Sequence, residues 1–225
     1  MQVIAFGDIH GYIQAAESDV SLAERLGVKA VFLGDYIDRG PSGIKTIQSL
    51  IRTRAKHPDW IFLRGNHEQM LMDLIVVKHK PDDLGILTDG SRFNYSESKD
   101  AFEEWEKLPD YERRAITGFL MDTEMYYETT PFIFVHAVLR DTGQEIVDKS
   151  AEELLWNYSY YPEWQGKTFI HGHRLTDNVT RYQRGININT KCGFGGFCSG
   201  ALLDMNDGEI KKIYKISETG SHIHE

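Results

Sequence analysis

Gly34-Asp35-Tyr36-Ile37-Asp38-Arg39-Gly40 is the stretch whose reading decides the fold of this chain. The apolar run Ala30-Val31-Phe32-Leu33 before it reads as a short buried strand. Pro41-Ser42 comes next, and Ile44, Ile47 and Ile51 then recur at helical spacing. The stretch is therefore a strand end, a loop and the start of a helix. Its two carboxylates and one guanidinium stand between glycines that let the backbone turn tightly. Open α/β sheets bind ligands at the carboxyl ends of their strands. A loop placed there with two Asp and one Arg suits a metal and an anion together. A capping and salt-bridge cluster is the competing reading of the same residues.

On the N-terminal side, Gln2–Phe6 reads as a strand ending at Gly7-Asp8-Ile9-His10-Gly11. Side chains alternate along an extended chain, so Asp8 and His10 share a side. Ile13–Leu26 reads as an amphipathic helix capped by Gly27, and residues 28–33 as the next strand. This βαβ crossover predicts parallel neighbours and brings Asp8, His10 and Asp35 to one rim. On the C-terminal side, the helix after Pro41 ends near His57-Pro58, and residues 60–63 form a third strand. That strand opens into Arg64-Gly65-Asn66-His67-Glu68, followed by a buried helix over residues 69–79. Three successive strands each end in a Gly-bounded polar cluster, which points to one composite site.

Residues 80–127 change texture. Pro81-Asp82-Asp83, Asp89-Gly90-Ser91 and Pro109 punctuate helical segments over 99–107 and 111–121, a small helical lid inserted in a single domain spanning 1–225. Tyr95, Trp105, Tyr126 and Tyr127 are candidates for lining a cleft, against the plainer reading as packing. Strands return at 131–135, running into His136, and at 167–170, running into His171-Gly172-His173. Residues 184–189 alternate, and 201–205 with 209–216 read as a closing hairpin across Asn206-Asp207-Gly208. Residues 218–225 read as a polar tail in which His222 and His224 are solvated.

The 225 residues carry a formal charge of −9 and no long basic run, so neither nucleic acid nor an acidic membrane is an expected partner. No apolar segment is long enough to span a bilayer. The opening residues lack a basic region and a cleavage site, which makes the cytoplasm the expected location. Cys192 and Cys198, flanking a glycine-rich loop, are accordingly read as two ordinary thiols.

Asp8, His10, Asp35, Asn66, His136 and His171 or His173 are oxygen and imidazole donors without a thiolate. Such a set suits Mn²⁺, Fe²⁺ or Zn²⁺, and is too large for one catalytic ion with open positions. It divides between two ions sharing a carboxylate, an arrangement that activates water and clamps an in-line displacement.

These blocks, Gly7-Asp8-Ile9-His10-Gly11, Gly34-Asp35-Tyr36-Ile37-Asp38-Arg39-Gly40 and Gly65-Asn66-His67-Glu68, resemble the signature blocks of the phosphoprotein phosphatase family, within the calcineurin-like metallophosphoesterases. His136 and Gly172-His173 resemble its remaining metal-histidine positions. The resemblance implies an α/β fold, a four-layer α-β-β-α sandwich of two mixed sheets. It implies two divalent ions, Mn²⁺ foremost, with Asp8 and His10 on the first, Asp35 bridging, and Asn66, His136 and His173 on the second. His67 is implied to stay off the metals and protonate the leaving oxygen, with Asp38 orienting it and Arg39 gripping phosphate; Asn66 would also face the substrate. Arg140 is a candidate second clamp, while Arg64 and Glu68 are read as structural. Val138, Arg174 and Ile188-Asn189-Thr190-Lys191 depart from the family pattern around the pocket rim.

The expected activity is hydrolysis of phosphate monoesters by metal-bridged hydroxide, with a Ser/Thr phosphoprotein as substrate, as in the bacterial branch of the family. Symmetrical cleavage of diadenosine tetraphosphate is the enzymatic alternative. A non-catalytic metal-binding or docking protein on the same fold is the alternative of another class.

Overall fold

Strand alternation sorts the apolar side chains into layers. In the computed structural model, which describes residues 1–77, 95–159 and 163–223, β1 (Gln2–Phe6) sends Val3 and Ala5 to one face and Ile4 and Phe6 to the other. β2 (Lys29–Phe32) does the same with Val31 against Ala30 and Phe32. Ile4, Phe6, Ala30 and Phe32 pack under Ala15, Leu22 and Ala23 of α1 (Ile13–Leu26) and Ile44, Ile47 and Leu50 of α2 (Gly43–Lys56). Burying each large apolar side chain contributes roughly 1.5–3 kcal/mol, so this face holds the helices on the sheet.

The first sheet has the order β11-β10-β9-β1-β2-β3. β1, β2 and β3 (Ile61–Phe62) are parallel, as the crossover reading requires. β9 (Cys198–Asp204) runs antiparallel to β1 and pairs with β10 (Glu209–Ile216) as the expected hairpin. β11 (His222–Ile223) corrects the reading of a solvated tail: it pairs with β10, and Nε2 of His222 lies 2.9 Å from Nη2 of Arg25. His224 lies outside the described residues.

The second sheet has the order β4-β5-β6-β8-β7, built from β4 (Tyr126–Glu128), β5 (Phe132–Val135), β6 (Thr168–His171), β7 (Thr180–Tyr182) and β8 (Gly185–Asn187). Phe132 and Phe134 of β5 and Ile170 of β6 meet Val3, Ala5, Val31 and Leu33 between the sheets. Ile133, Val135 and Phe169 turn the other way, under Leu154 of the short helix Ala151–Trp156. Helices, sheet, sheet and helix stack as the expected four-layer sandwich.

α3 (Asn66–Val77) starts three residues earlier than its apolar periodicity indicates. Its first-turn amides have no intrahelical acceptor, and Oδ1 of Asp35 takes that of His67 at 3.1 Å; just before the helix, Glu68 reaches back to the Gly65 amide at 2.9 Å. Asn66, His67 and Glu68 are therefore helical and held to the Asp35 loop.

The described part of the expected lid is a 3₁₀ turn, Tyr95–Ser98, then α4 (Lys99–Glu106) and α5 (Asp110–Met121). α5 packs against α2 and α3, and its Ile116, Phe119 and Leu120 join the core under the first sheet. The Pro81 and Asp89 punctuation and the Tyr95 side chain lie outside the described residues. The helix Ala151–Trp156, α6, carries a reciprocal Ser150–Glu153 capping box, worth about 1 kcal/mol. Among the described residues no helix is long and apolar enough to cross a membrane.

Candidate metal and phosphate site

The loops after β1, β2 and β3 are tied to one another at their backbones. The Ile9 and His10 amides both donate to the Asp35 carbonyl (3.0 and 2.9 Å), the Gly11 amide to Tyr36, and the Gly40 amide to His10. Glu68, fully buried on α3, accepts from the amides of Asp35 and Tyr36 at 2.7 and 2.8 Å. Glu68 is structural, as expected, and its task is to hold the Asp35 loop. The fit is tight: a Cβ on Gly65 would collide with Oδ1 of Asp35, and one on Gly172 with Oδ1 of Asp8. His10, Asp35, Asp38, Arg39 and His173 all take positive φ, between 48° and 67°. Such backbone costs of order 1–3 kcal/mol per residue and persists where surrounding contacts over-determine it.

Two ligand groups share Asp35. Donor atoms of His10, Asp35 and His67 lie within 4.8 Å of one another, and so do those of Asp35, His136 and His173. Nδ1 of His10 donates to the Ile37 carbonyl at 3.1 Å, and Nδ1 of His136 to that of Leu33 at 2.8 Å. Each bond leaves Nε2 directed at the carboxylates, 3.9 Å from Oδ2 of Asp35 for His10 and 3.4 Å for His136. Anchoring one ring nitrogen on a carbonyl is how ligating histidines are oriented. Oδ1 of Asn66 lies 2.9 Å from both Nε2 of His136 and Nδ1 of His173. Asp8 lies beside the groups rather than in one: its Oδ2 is 3.9 Å from Nε2 of His10 and accepts from Nδ2 of Asn189 and the His173 amide.

The electrostatics follow from burial of like and unlike charges together. Burial pushes the Asp8 carboxyl up to about 7, helped by Asp35. Burial acts the same way on Asp35, but His136 and His67 outweigh it and hold that carboxyl well below its usual range. Burial lowers both His10 and His173 to about 3, leaving neutral imidazoles. His136 resists burial through Asp35 and stands at about 9. An ionised carboxylate flanked by imidazoles with anchored rings fits a pair of divalent cations, and the donors exclude a thiolate zinc centre.

His67, which stands within the first ligand group, is also paired with Asp38. Nδ1 of His67 lies 2.6 Å from Oδ2 of Asp38, and both are buried. Burial would lower the imidazole, yet Asp35 and the bond to Asp38 raise it to about 9. Ser98, from the 3₁₀ turn, donates to the same Asp38 oxygen at 2.5 Å. Arg39 is held between Oε2 of Glu97 at 2.5 Å and the Phe194 ring, 4.3 Å from its guanidinium carbon. A cavity of about 250 Å³ opens onto these groups, with Trp156, Tyr158 and Phe194 on its wall.

The structure thus gathers Asp8, His10, Asp35, Asp38, Arg39, Asn66, His67, His136 and His173. It does not bring Arg140, which is exposed, to the cavity lining. His171 points away: its Nδ1 donates to the Gly172 carbonyl at 2.9 Å and Nε2 meets the Tyr182 hydroxyl at 2.5 Å. The left-handed turn at His173 separates two side chains that an extended strand would align. Trp105, Tyr126 and Tyr127 pack into the apolar clusters instead of the cavity. Sequence reading gave no role to Glu97, Ser98, Trp156, Tyr158 or Phe194, and it named Asn189 only within a segment at the pocket rim.

The expectation of two ordinary thiols is corrected. Cys192 and Cys198 are joined in a disulfide. Positive φ at Gly193 and Gly195, with the Phe194 and Gly196 amides both returning to the Lys191 carbonyl, folds the loop until the two Cα atoms are 4.9 Å apart. That spacing lies within disulfide reach.

The serine/threonine-protein phosphatase 2 of Salmonella typhimurium strain LT2 is 26% identical over 211 residues, covering 87% of this chain and 88% of that protein. A crystal structure assigned as a diadenosine tetraphosphatase superposes with a TM-score of 0.67 at 18% identity, covering 95% of this chain and 93% of that one. The cold-active protein-tyrosine phosphatase of a psychrophilic Shewanella superposes at 0.58 and 13% identity, over 99% and 79% of the two chains. Residues 1–186 match the calcineurin-like phosphoesterases, and with two ligand groups meeting at Asp35 the chain belongs to that family of dinuclear metal-dependent hydrolases.

Proposed function

We propose that this protein hydrolyses phosphate monoesters, with a Ser/Thr phosphoprotein as its substrate. The observation that carries the reading is the Asp35-centred pair of ligand groups, of which His10, Asp35, His67 and His173 line one cavity with Arg39, while Asp38 backs His67. Asp8, His10, Asp35, Asn66, His136 and His173 would hold two divalent cations, with Mn²⁺ the proposed pair. When bound, these would neutralise phosphate charge and lower the pKa of water.

The chain's own residues supply the rest. Arg39 offers a planar fork that matches phosphate oxygens. Its cation–π contact with Phe194 keeps that fork at the cavity edge. His67, held in its charged form by Asp35 and Asp38, has Nε2 free of that bond and donates a proton from it to the leaving oxygen. His67 also stands within reach of the first ligand group, and its short bond to the Asp38 carboxylate is what favours an acid's role over a ligand's.

The aromatic wall of Trp156, Tyr158 and Phe194 favours a second reading, because such faces stack nucleobases. Diadenosine tetraphosphate is its substrate. Mn²⁺-loaded protein assayed side by side on p-nitrophenyl phosphate, a phosphothreonine peptide and the dinucleotide separates the two. The proposal expects turnover of the ester and a higher kcat/KM on the peptide. Turnover of none of them removes it. The cytoplasm is the proposed location, and alkylation of the native protein with and without reductant checks whether Cys192 and Cys198 are bonded there.

A further inference from the structure

Glu97 occupies a position that the phosphate site needs for itself. Its Oε2 lies 2.5 Å from Nη2 of Arg39 and 3.7 Å from Nε2 of His67. One carboxylate oxygen therefore sits between the guanidinium and the outward nitrogen of the candidate acid. In the proposed reaction a substrate oxygen must come within hydrogen-bond reach of those same two groups. Carboxylate and phosphate present the same chemistry to an arginine fork, and two anions cannot share it without strong repulsion.

The way Glu97 is mounted matters as much as where it sits. The next residue, Ser98, is buried, and its hydroxyl is bonded to Asp38. Its neighbour anchors the turn, whereas the Glu97 side chain is about one-third exposed, at 35%. Because Ser98 and not Glu97 makes the Asp38 contact, a change in the Glu97 side chain alone would leave that contact in place. Phe194 also contacts the guanidinium, a support for Arg39 that does not depend on Glu97.

We infer that Glu97 is an internal competitor for the phosphate-binding position: its carboxylate holds Arg39 until the phosphate group of a substrate displaces it. Glu97 thereby sets how strongly an anion must bind to enter. This inference rests on the assignment of Arg39 and His67 to phosphate binding and proton donation.

The test uses the Mn²⁺-loaded full chain, with p-nitrophenyl phosphate as substrate and inorganic phosphate as competing anion. Glu97→Gln keeps the side chain's size and removes its charge. KM for the ester and the inhibition constant of phosphate should both fall by about two- to fivefold, the scale of one partly exposed ion pair. The same substitution in an Arg39→Ala background should lose most of that gain, because the competition is for Arg39. Unchanged or raised constants in Glu97→Gln would show that Glu97 only props Arg39 up, and would overturn the inference. A full gain in the Arg39→Ala background would reduce the effect to general repulsion and overturn it too. Absence of both ester turnover and phosphate binding in the unaltered chain would sink the phosphoesterase reading beneath it, which is a different result from turnover with unshifted constants.

Discussion

Nδ1 of His67 lies 2.6 Å from Oδ2 of Asp38, and a hydroxyl from a separate segment, that of Ser98, closes on the same oxygen. The imidazole is thus fixed in ring orientation by a partner that takes no part in either ligand group. Replacing His67 with Asn removes the proton donor, and the six proposed cation ligands, Asp8, His10, Asp35, Asn66, His136 and His173, do not include it. His67→Asn is expected to lower kcat by roughly 10²–10⁴-fold, the range for a lost general acid. Metal content by plasma mass spectrometry should stay at the wild-type level. An unchanged rate removes His67 from the chemistry.

Asp35 is the carboxylate both ligand groups have in common. Asp35→Asn keeps an acceptor for the His67 amide, which Asp35 now takes through Oδ1, but it deletes the charge between the imidazoles. Affinity for both cations should weaken by at least roughly tenfold, read by calorimetric titration with Mn²⁺. Two fully occupied ions in this variant would contradict a shared ligand.

Ser98 is a positioning residue on the described part of the insertion. Ser98→Ala leaves Asp38 with one partner fewer, and kcat should fall about tenfold, the size of one charge-assisted hydrogen bond. KM and metal content should hold, and Ser98→Thr should restore the rate. Equal kcat for Ser98→Ala would confine the hydroxyl to packing.

His171 and His173 separate by what each variant loses. His173→Ala should reduce occupancy of the group made with Asp35 and His136. His171→Ala should keep both cations and cost roughly 1–3 kcal/mol of stability, because the Tyr182 hydroxyl then lacks its buried partner. Loss of a cation in His171→Ala would reverse the assignment.

Asp19 on α1 is buried at 1% exposure, and neither of its carboxyl oxygens has a partner among the described residues. Burial raises its pKa well above the ordinary 3.8. Between those values the folded state holds a proton that the unfolded chain has released, so this group makes stability fall as pH rises above about 3.8. Asp19→Asn should therefore gain roughly 1–3 kcal/mol near pH 7 and almost nothing near pH 3.5. Urea unfolding of both chains at the two pH values measures it, and an equal difference at both would show that the carboxyl is not the cause.

The sequence by itself determined the order of strands and helices through residue 77, the parallel crossover, the closing hairpin, and the polar residues at the strand ends. These are local: alternation, helical spacing and glycine placement act within a few residues, and chain direction alone puts Asp8, Asp35 and Asn66 on one rim. The tertiary structure decided where α3 begins, since Asp35 takes the His67 amide from a different strand's loop. It also decided that His171 turns to the Tyr182 hydroxyl, that Cys192 meets Cys198, and that Glu97 and Ser98 reach Arg39 and Asp38. Those last contacts span 58 and 60 residues of chain. No pattern within either segment encodes them, because their geometry comes from packing α3, α4 and α5 beneath the first sheet.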